Sequence, residues 1–153
     1  MEFKLKIFLK EAIVMLATLA LAGCVAGPVK EVIATDRAPA AIGPYSQAIK
    51  FDNMLFLSGQ IAIDPKTNQF NAGSIEEQTK QVLENLKAVL AANGMTMENV
   101  VSTTVFLMDM NDFAKMNAVY GACFKEKPPA RVTVQVAGLP RGALVEISAI
   151  AAR

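Results

Sequence analysis

Residues 128–151, PPARVTVQVAGLPRGALVEISAIA, constrain the fold more tightly than any other stretch, because two runs of alternating character flank one cluster of turn residues. Pro128-Pro129 holds the chain extended, since each ring fixes its own φ and disfavours helix in the residue before it. Arg131-Val-Thr-Val-Gln-Val-Ala137 and Ala143-Leu-Val-Glu-Ile-Ser-Ala-Ile150 then alternate with period two, separated by Gly138-Leu-Pro-Arg-Gly142. The pattern predicts an antiparallel hairpin. With Val132, Val134 and Val136 on a core face, Val145 and Ile147 lie beside them, because a slip of one residue exchanges the faces of a strand. Glu146 then shares the opposite face with Arg131, Thr133, Gln135 and Ser148. Such a face is either solvated surface, where an Arg/Glu pair contributes a few tenths of a kcal/mol, or a polar site. Residue chemistry alone leaves both open.

A chain of 153 residues suits one domain with a sizeable core. Its charges narrow the function classes. Lys4, Lys6 and Lys10 stand against Glu2 and Glu11 in the first 23 residues, which leaves 12 basic and 12 acidic residues in the remainder. No basic run, aromatic-interleaved stripe or zinc-finger spacing points to nucleic acid. The chain has no histidine, which removes the commonest general base and the commonest metal ligand. Its two cysteines are too few for a zinc site, and no metal site is expected. Cys123 falls on an apolar helical position, where a small buried hydrophobe is the simpler reading, and no histidine is present to activate it.

The N-terminus reads as a leader. A basic start is followed by an apolar run from Ala12 to Gly23, too short to span a bilayer and matching a secretory signal. Leu21-Ala-Gly-Cys24 resembles the bacterial lipobox, which implies lipidation of Cys24 after removal of residues 1–23. Residues 24–29 then form a tether and residues 30–153 the domain, held to a membrane by lipid alone. Val25 is not acidic, so the periplasmic face of the outer membrane is the expected location, with a cytoplasmic protein and a misassigned start as the alternative.

Within the domain, Glu31–Thr35 reads as a short strand, and Ser46–Phe51 and Met54–Ser58 as a hairpin turning at Asp52-Asn53. Ser74-Ile-Glu-Glu77 is a capping box opening a helix whose buried face carries Ile75, Thr79, Val82, Leu83, Leu86, Val89 and Leu90. Residues 99–109 read as a central strand. Asn111 or Asp112 caps a second helix with a core stripe of Phe113, Met116, Val119, Tyr120, Cys123 and Phe124. The order β, β, β, α, β, α, β, β predicts an α+β domain with both helices on one face of a sheet.

Two separated signatures carry a resemblance to a known family. Ala38-Pro-Ala-Ala-Ile-Gly-Pro-Tyr-Ser-Gln-Ala48 with Leu57-Ser-Gly-Gln60, and Pro129-Ala-Arg131 with Leu139-Pro140 and Val145-Glu-Ile-Ser-Ala-Ile-Ala151, resemble the RidA (YjgF-like) family of enamine/imine deaminases. Thr103-Thr-Val-Phe106 and Asn111-Asp-Phe113 match between them. The resemblance implies a chorismate-mutase-like fold, a homotrimer, and active sites in the clefts between subunits. It implies hydrolysis of small 2-imino acids such as 2-aminoacrylate and 2-iminopropanoate to 2-oxo acids and ammonia, without a cofactor. Arg131 would clamp the substrate carboxylate, as a guanidinium fork can and an ammonium cannot. Glu146 would hold the attacking water. Tyr45, Ser58, Gly59 and Thr133 would line the site, and Gly59 allows close backbone approach. The chain departs from the family pattern at Thr133, where many relatives carry cysteine, and in a short Lys125–Pro128 connection. A non-catalytic carboxylate-binding module and a ribonuclease or translation inhibitor are the competing readings, and the neutral domain counts against the last.

Overall fold

The structure, a computed structural model, describes residue 27 and residues 29–153. The expected leader and Cys24 lie outside the described residues, as does most of the expected tether. No helix among the described residues is long and apolar enough to cross a membrane.

Six strands form one sheet: β1 (Lys30–Ile33), β2 (Ala48–Phe51), β3 (Met54–Gln60), β4 (Val100–Leu107), β5 (Ala130–Gln135) and β6 (Val145–Ala152), in the spatial order β1-β2-β3-β6-β4-β5. Helices α1 (Ile75–Ala92) and α2 (Phe113–Cys123) cover one face, as the element order predicts. The α1 capping box forms: the Ser74 hydroxyl accepts from the Glu77 N–H at 3.3 Å, and the Glu77 carboxylate accepts from the Ser74 N–H at 2.8 Å. At the other end Gly94, with φ of 63°, donates to the Ala91 carbonyl while Met95 donates to Leu90, which satisfies two of the last free carbonyls. The seven predicted α1 core residues are all buried, against Leu55, Leu57, Val105, Leu107, Val145, Ile147 and Ala149 of the sheet. The second helix has Asp112 at its cap position without a side-chain cap bond, and Asp109 instead caps the preceding 3₁₀ turn through the Asn111 N–H at 2.8 Å.

The expected β5–β6 hairpin does not form. β5 pairs in parallel with β4, while β6 runs antiparallel between β3 and β4. The connection passes the end of β4, where the Val136 N–H donates to the Leu107 carbonyl and the Met108 N–H donates to Leu144. Burial accounts for the placement. β6 buries Val145, Ile147, Ala149 and Ala151 and takes a hydrogen-bonding neighbour on each side, whereas β5 leaves Val132 57% and Val134 38% exposed at the sheet edge.

Inserting β4 between them also corrects the parity. Arg131 lies beside Thr103, and Thr103 beside Ala149, so Arg131, Thr133 and Gln135 sit on the helix-covered face. Glu146 lies beside Phe106, and Phe106 beside Val134, so Glu146 sits with the valines on the other face. Arg131 and Glu146 therefore project from opposite faces. Polar residues are tolerated on the inner face of β5 because it is the edge strand, where side-chain stems pack and polar tips reach water. The uncovered face is mixed, with Val32, Phe51, Phe56, Val132 and Val134 exposed on the same side as Ser102, Thr104, Ser148 and Glu146.

Candidate active site

One group of the expected site residues is arranged by a bulge. β3 and β6 pair at Leu57–Ala149 and again at Gln60–Ile147, so Ser58 and Gly59 together oppose Ser148. Such an extra residue bends a strand and re-aims its side chains. Here it brings the Gly59 backbone against Glu146. A Cβ on Gly59 would overlap the Glu146 carboxylate as it stands, with the carboxyl carbon 2.8 Å away, so any larger residue has to displace that carboxylate. Ser58 is fixed by its N–H donating to the Gln47 carbonyl at 3.0 Å and its hydroxyl donating to the Ser46 carbonyl at 2.7 Å.

Tyr45 arrives on the loop between β1 and β2. Its hydroxyl accepts from the Ile42 N–H at 3.2 Å. The loop is organised by Gln47, whose Oε1 accepts from the Thr35 N–H at 2.6 Å and whose Nε2 donates to the carbonyls of Pro39 at 2.7 Å, Thr35 at 2.9 Å and Ala38 at 3.2 Å. Ile42, Tyr45, Ser58, Gly59, Ile61, Pro140 and Glu146 line an open cavity of about 340 Å³. Half-burial raises the Glu146 carboxyl above the usual glutamate range, and neither ion pair found among the described residues involves it.

The other group lies on the opposite face. Arg131 Nη2 donates to Asn117 Oδ1 at 2.9 Å, and its guanidinium carbon stands 4.5 Å from the Tyr120 ring centroid and 5.7 Å from that of Phe113. These three neighbours come from one face of α2, at spacings of four and three residues. Tyr120 is itself buried and shares a 2.7 Å hydrogen bond with Thr103, while desolvation raises its hydroxyl pKa. Two residues along β5, the Thr133 hydroxyl is buried without a hydrogen-bond partner. A buried hydroxyl with no partner is a cost to the fold.

The six residues expected at the site therefore fall into two groups. Tyr45, Ser58, Gly59 and Glu146 meet, as do Arg131 and Thr133, and one chain does not bring the groups together. Sequence pattern does not reveal Asn117 as a partner of Arg131, places Phe113 and Tyr120 only in the core, and assigns no role to Gln47. The signal for the first three was the Phe113, Asn117, Tyr120 spacing on one helical face. Phe113 is in fact exposed beside the arginine.

The family profile described as Endoribonuclease L-PSP matches residues 35–153. A RutC family protein of Pyrococcus horikoshii is 59% identical over 122 residues, covering 80% of this chain and 97% of the relative. The 2-iminobutanoate/2-iminopropanoate deaminase of Mus musculus is 50% identical over 123 residues, covering 80% and 91%. Among solved structures, E. coli TdcF with bound serine superposes with a TM-score of 0.77 at 42% identity, covering 80% of this chain and 98% of that one. The mixed sheet with two helices on one face is the fold of these RidA/YjgF structures. Matched along most of its length in sequence and in fold, the chain belongs to the Endoribonuclease L-PSP family, the RidA group to which its two separated signatures pointed.

Proposed function

We propose that this chain, a deaminase of its family, hydrolyses reactive 2-imino acids such as 2-iminopropanoate and the tautomeric 2-aminoacrylate, at sites each assembled from two copies in a homotrimer. One observation carries the reading: Arg131 with Thr133 and Glu146 with Tyr45, Ser58 and Gly59 lie on opposite faces of one sheet. A substrate of a few carbons cannot touch both groups of one chain, and a neighbouring copy supplies the missing half. The exposed valines and phenylalanines of the open face favour such packing, because apolar side chains left exposed on a sheet face are a site for association.

In the assembled cleft the Arg131 fork takes the substrate carboxylate and the Thr133 hydroxyl adds a donor. The Glu146 carboxylate orients a water over the C=N carbon. Its oxygen bonds to that carbon, its proton passes to the imine nitrogen, and the resulting carbinolamine loses ammonia to leave the 2-oxo acid. Orientation is most of the task, since imines hydrolyse unaided and only a positioned water is needed. Serine in the TdcF structure is an amino acid of matching size and carboxylate, which supports this substrate class.

Complementation tests the composite site. Arg131→Ala and Glu146→Ala should each abolish ammonia release from imino acid generated in place. A co-refolded equal mixture should recover about one quarter of wild-type activity, because random assembly pairs an intact Arg131 with an intact Glu146 at one site in four. No recovery places both residues in a single-chain site and refutes the arrangement.

The leader adds a proposal of its own, that lipid on Cys24 holds the enzyme at a membrane surface after export. A diacyl thioether with an N-acyl chain exceeds the two-chain anchoring that gives stable attachment. Labelled palmitate incorporated by the wild type and lost in Cys24→Ala supports it; cytosolic, unlabelled protein overturns it.

A further inference from the structure

Arg131 is held entirely by uncharged groups. Phe113, Asn117 and Tyr120 surround its guanidinium from one face of α2, and neither ion pair found among the described residues includes it. The ring faces and one amide oxygen occupy its planes and a single Nη2 hydrogen. Tyr120 is in turn locked by burial and by its bond to Thr103 on the neighbouring strand, so the ring is a fixed floor for the arginine.

An acidic residue at position 117 would hold the fork as well or better, since a carboxylate is its strongest partner. It would also cancel the charge that a substrate carboxylate has to meet. We infer that Asn117 and Tyr120 are positioning residues for the reaction, fixing the direction of the Arg131 fork while leaving its charge unspent for substrate. The inference rests on the reading of Arg131 as carboxylate anchor and deepens it. Asparagine supplies the same acceptor geometry as aspartate without the charge, and the aromatic faces attract the cation without competing for its in-plane donors.

Asn117→Asp is the decisive variant. Asn117 is exposed, so the replacement leaves the core intact. The introduced carboxylate should pair with Arg131 and raise KM for 2-iminopropanoate at least about tenfold, with kcat within about twofold of wild type. The dissociation constant of 2-oxopropanoate, the product, should rise in parallel by calorimetry. Asn117→Ala removes the tether without adding a competitor and should raise KM less than Asn117→Asp does. Tyr120→Leu should raise KM, and Tyr120→Phe, which keeps the ring, should restore most of the loss. If Asn117→Asp leaves KM and product affinity within about twofold of wild type while Arg131→Ala is inactive, the positioning role is wrong and the anchor stands. If Arg131→Ala is fully active, the anchor fails and the positioning role with it. A fall in kcat at unchanged KM in Asn117→Asp also overturns the inference.

Discussion

Gln47 sits 5% exposed under the loop that delivers Tyr45, and replacing it with leucine tests how that loop is held. The substitution preserves approximate size and removes every polar contact of the side chain. One N–H, from Thr35, loses its acceptor, and the carbonyls of Thr35, Ala38 and Pro39 lose the Nε2 donor. Two Nε2 hydrogens serve three carbonyls, so three full hydrogen bonds are a fair count, or about 3 kcal/mol at the usual net value of about 1 kcal/mol each. The Ala38 and Pro39 carbonyls face buried surroundings and add desolvation cost, which the apolar leucine partly offsets. A loss of about 3–5 kcal/mol follows, a large share of the stability of a typical domain. Urea unfolding at one fixed protein concentration measures it, since the proposed assembly would make apparent stability depend on concentration. Proteolysis should show new cleavage within residues 35–46 before global unfolding. Gln47→Glu should be little better at neutral pH, because its carboxylate still accepts from Thr35 but faces three carbonyl oxygens. A loss below about 1 kcal/mol in Gln47→Leu, with no new cleavage, would refute the view that one side chain organises this loop.

Three further outcomes follow from the geometry. Gly59→Ala should fold yet lose deamination, because its methyl group takes the place of the Glu146 carboxylate; near-normal ammonia release would show that the carboxylate can move aside. Glu146→Gln bears on pH: burial raises the folded-state pKa, so this glutamate contributes stability below its unfolded value that is lost as pH rises through the folded one. The variant should therefore gain on wild type in urea midpoint from about pH 4 to pH 7, and a constant gap would contradict the burial argument. Ser74→Ala breaks the α1 capping box and should cost about 1 kcal/mol by the same assay, with an unchanged midpoint counting against the cap.

Local patterns determined much of this protein before any tertiary contact. Ser74 and Glu77 are three residues apart, and the apolar positions of α1 recur at helical spacing, so the helix and its buried face follow from neighbours in the chain. Asp52-Asn53 likewise makes a hairpin of β2 and β3, with Asp52 at φ of 55°. The residues expected at the candidate site were also nameable from the sequence, because two long signatures carry them. Their spatial grouping was not. Period-two alternation states which residues share a face of one strand, and it is silent on which strand lies alongside. Contacts between residues distant in the chain, at β3 and β4, drew β6 into the centre of the sheet and left β5 at its edge. That choice sent Arg131 to the helices and Glu146 to the open face. The bulge at Ser58-Gly59 and the fit of Gly59 to Glu146 likewise depend on β6 lying beside β3, a pairing across about ninety residues that only the folded chain decides.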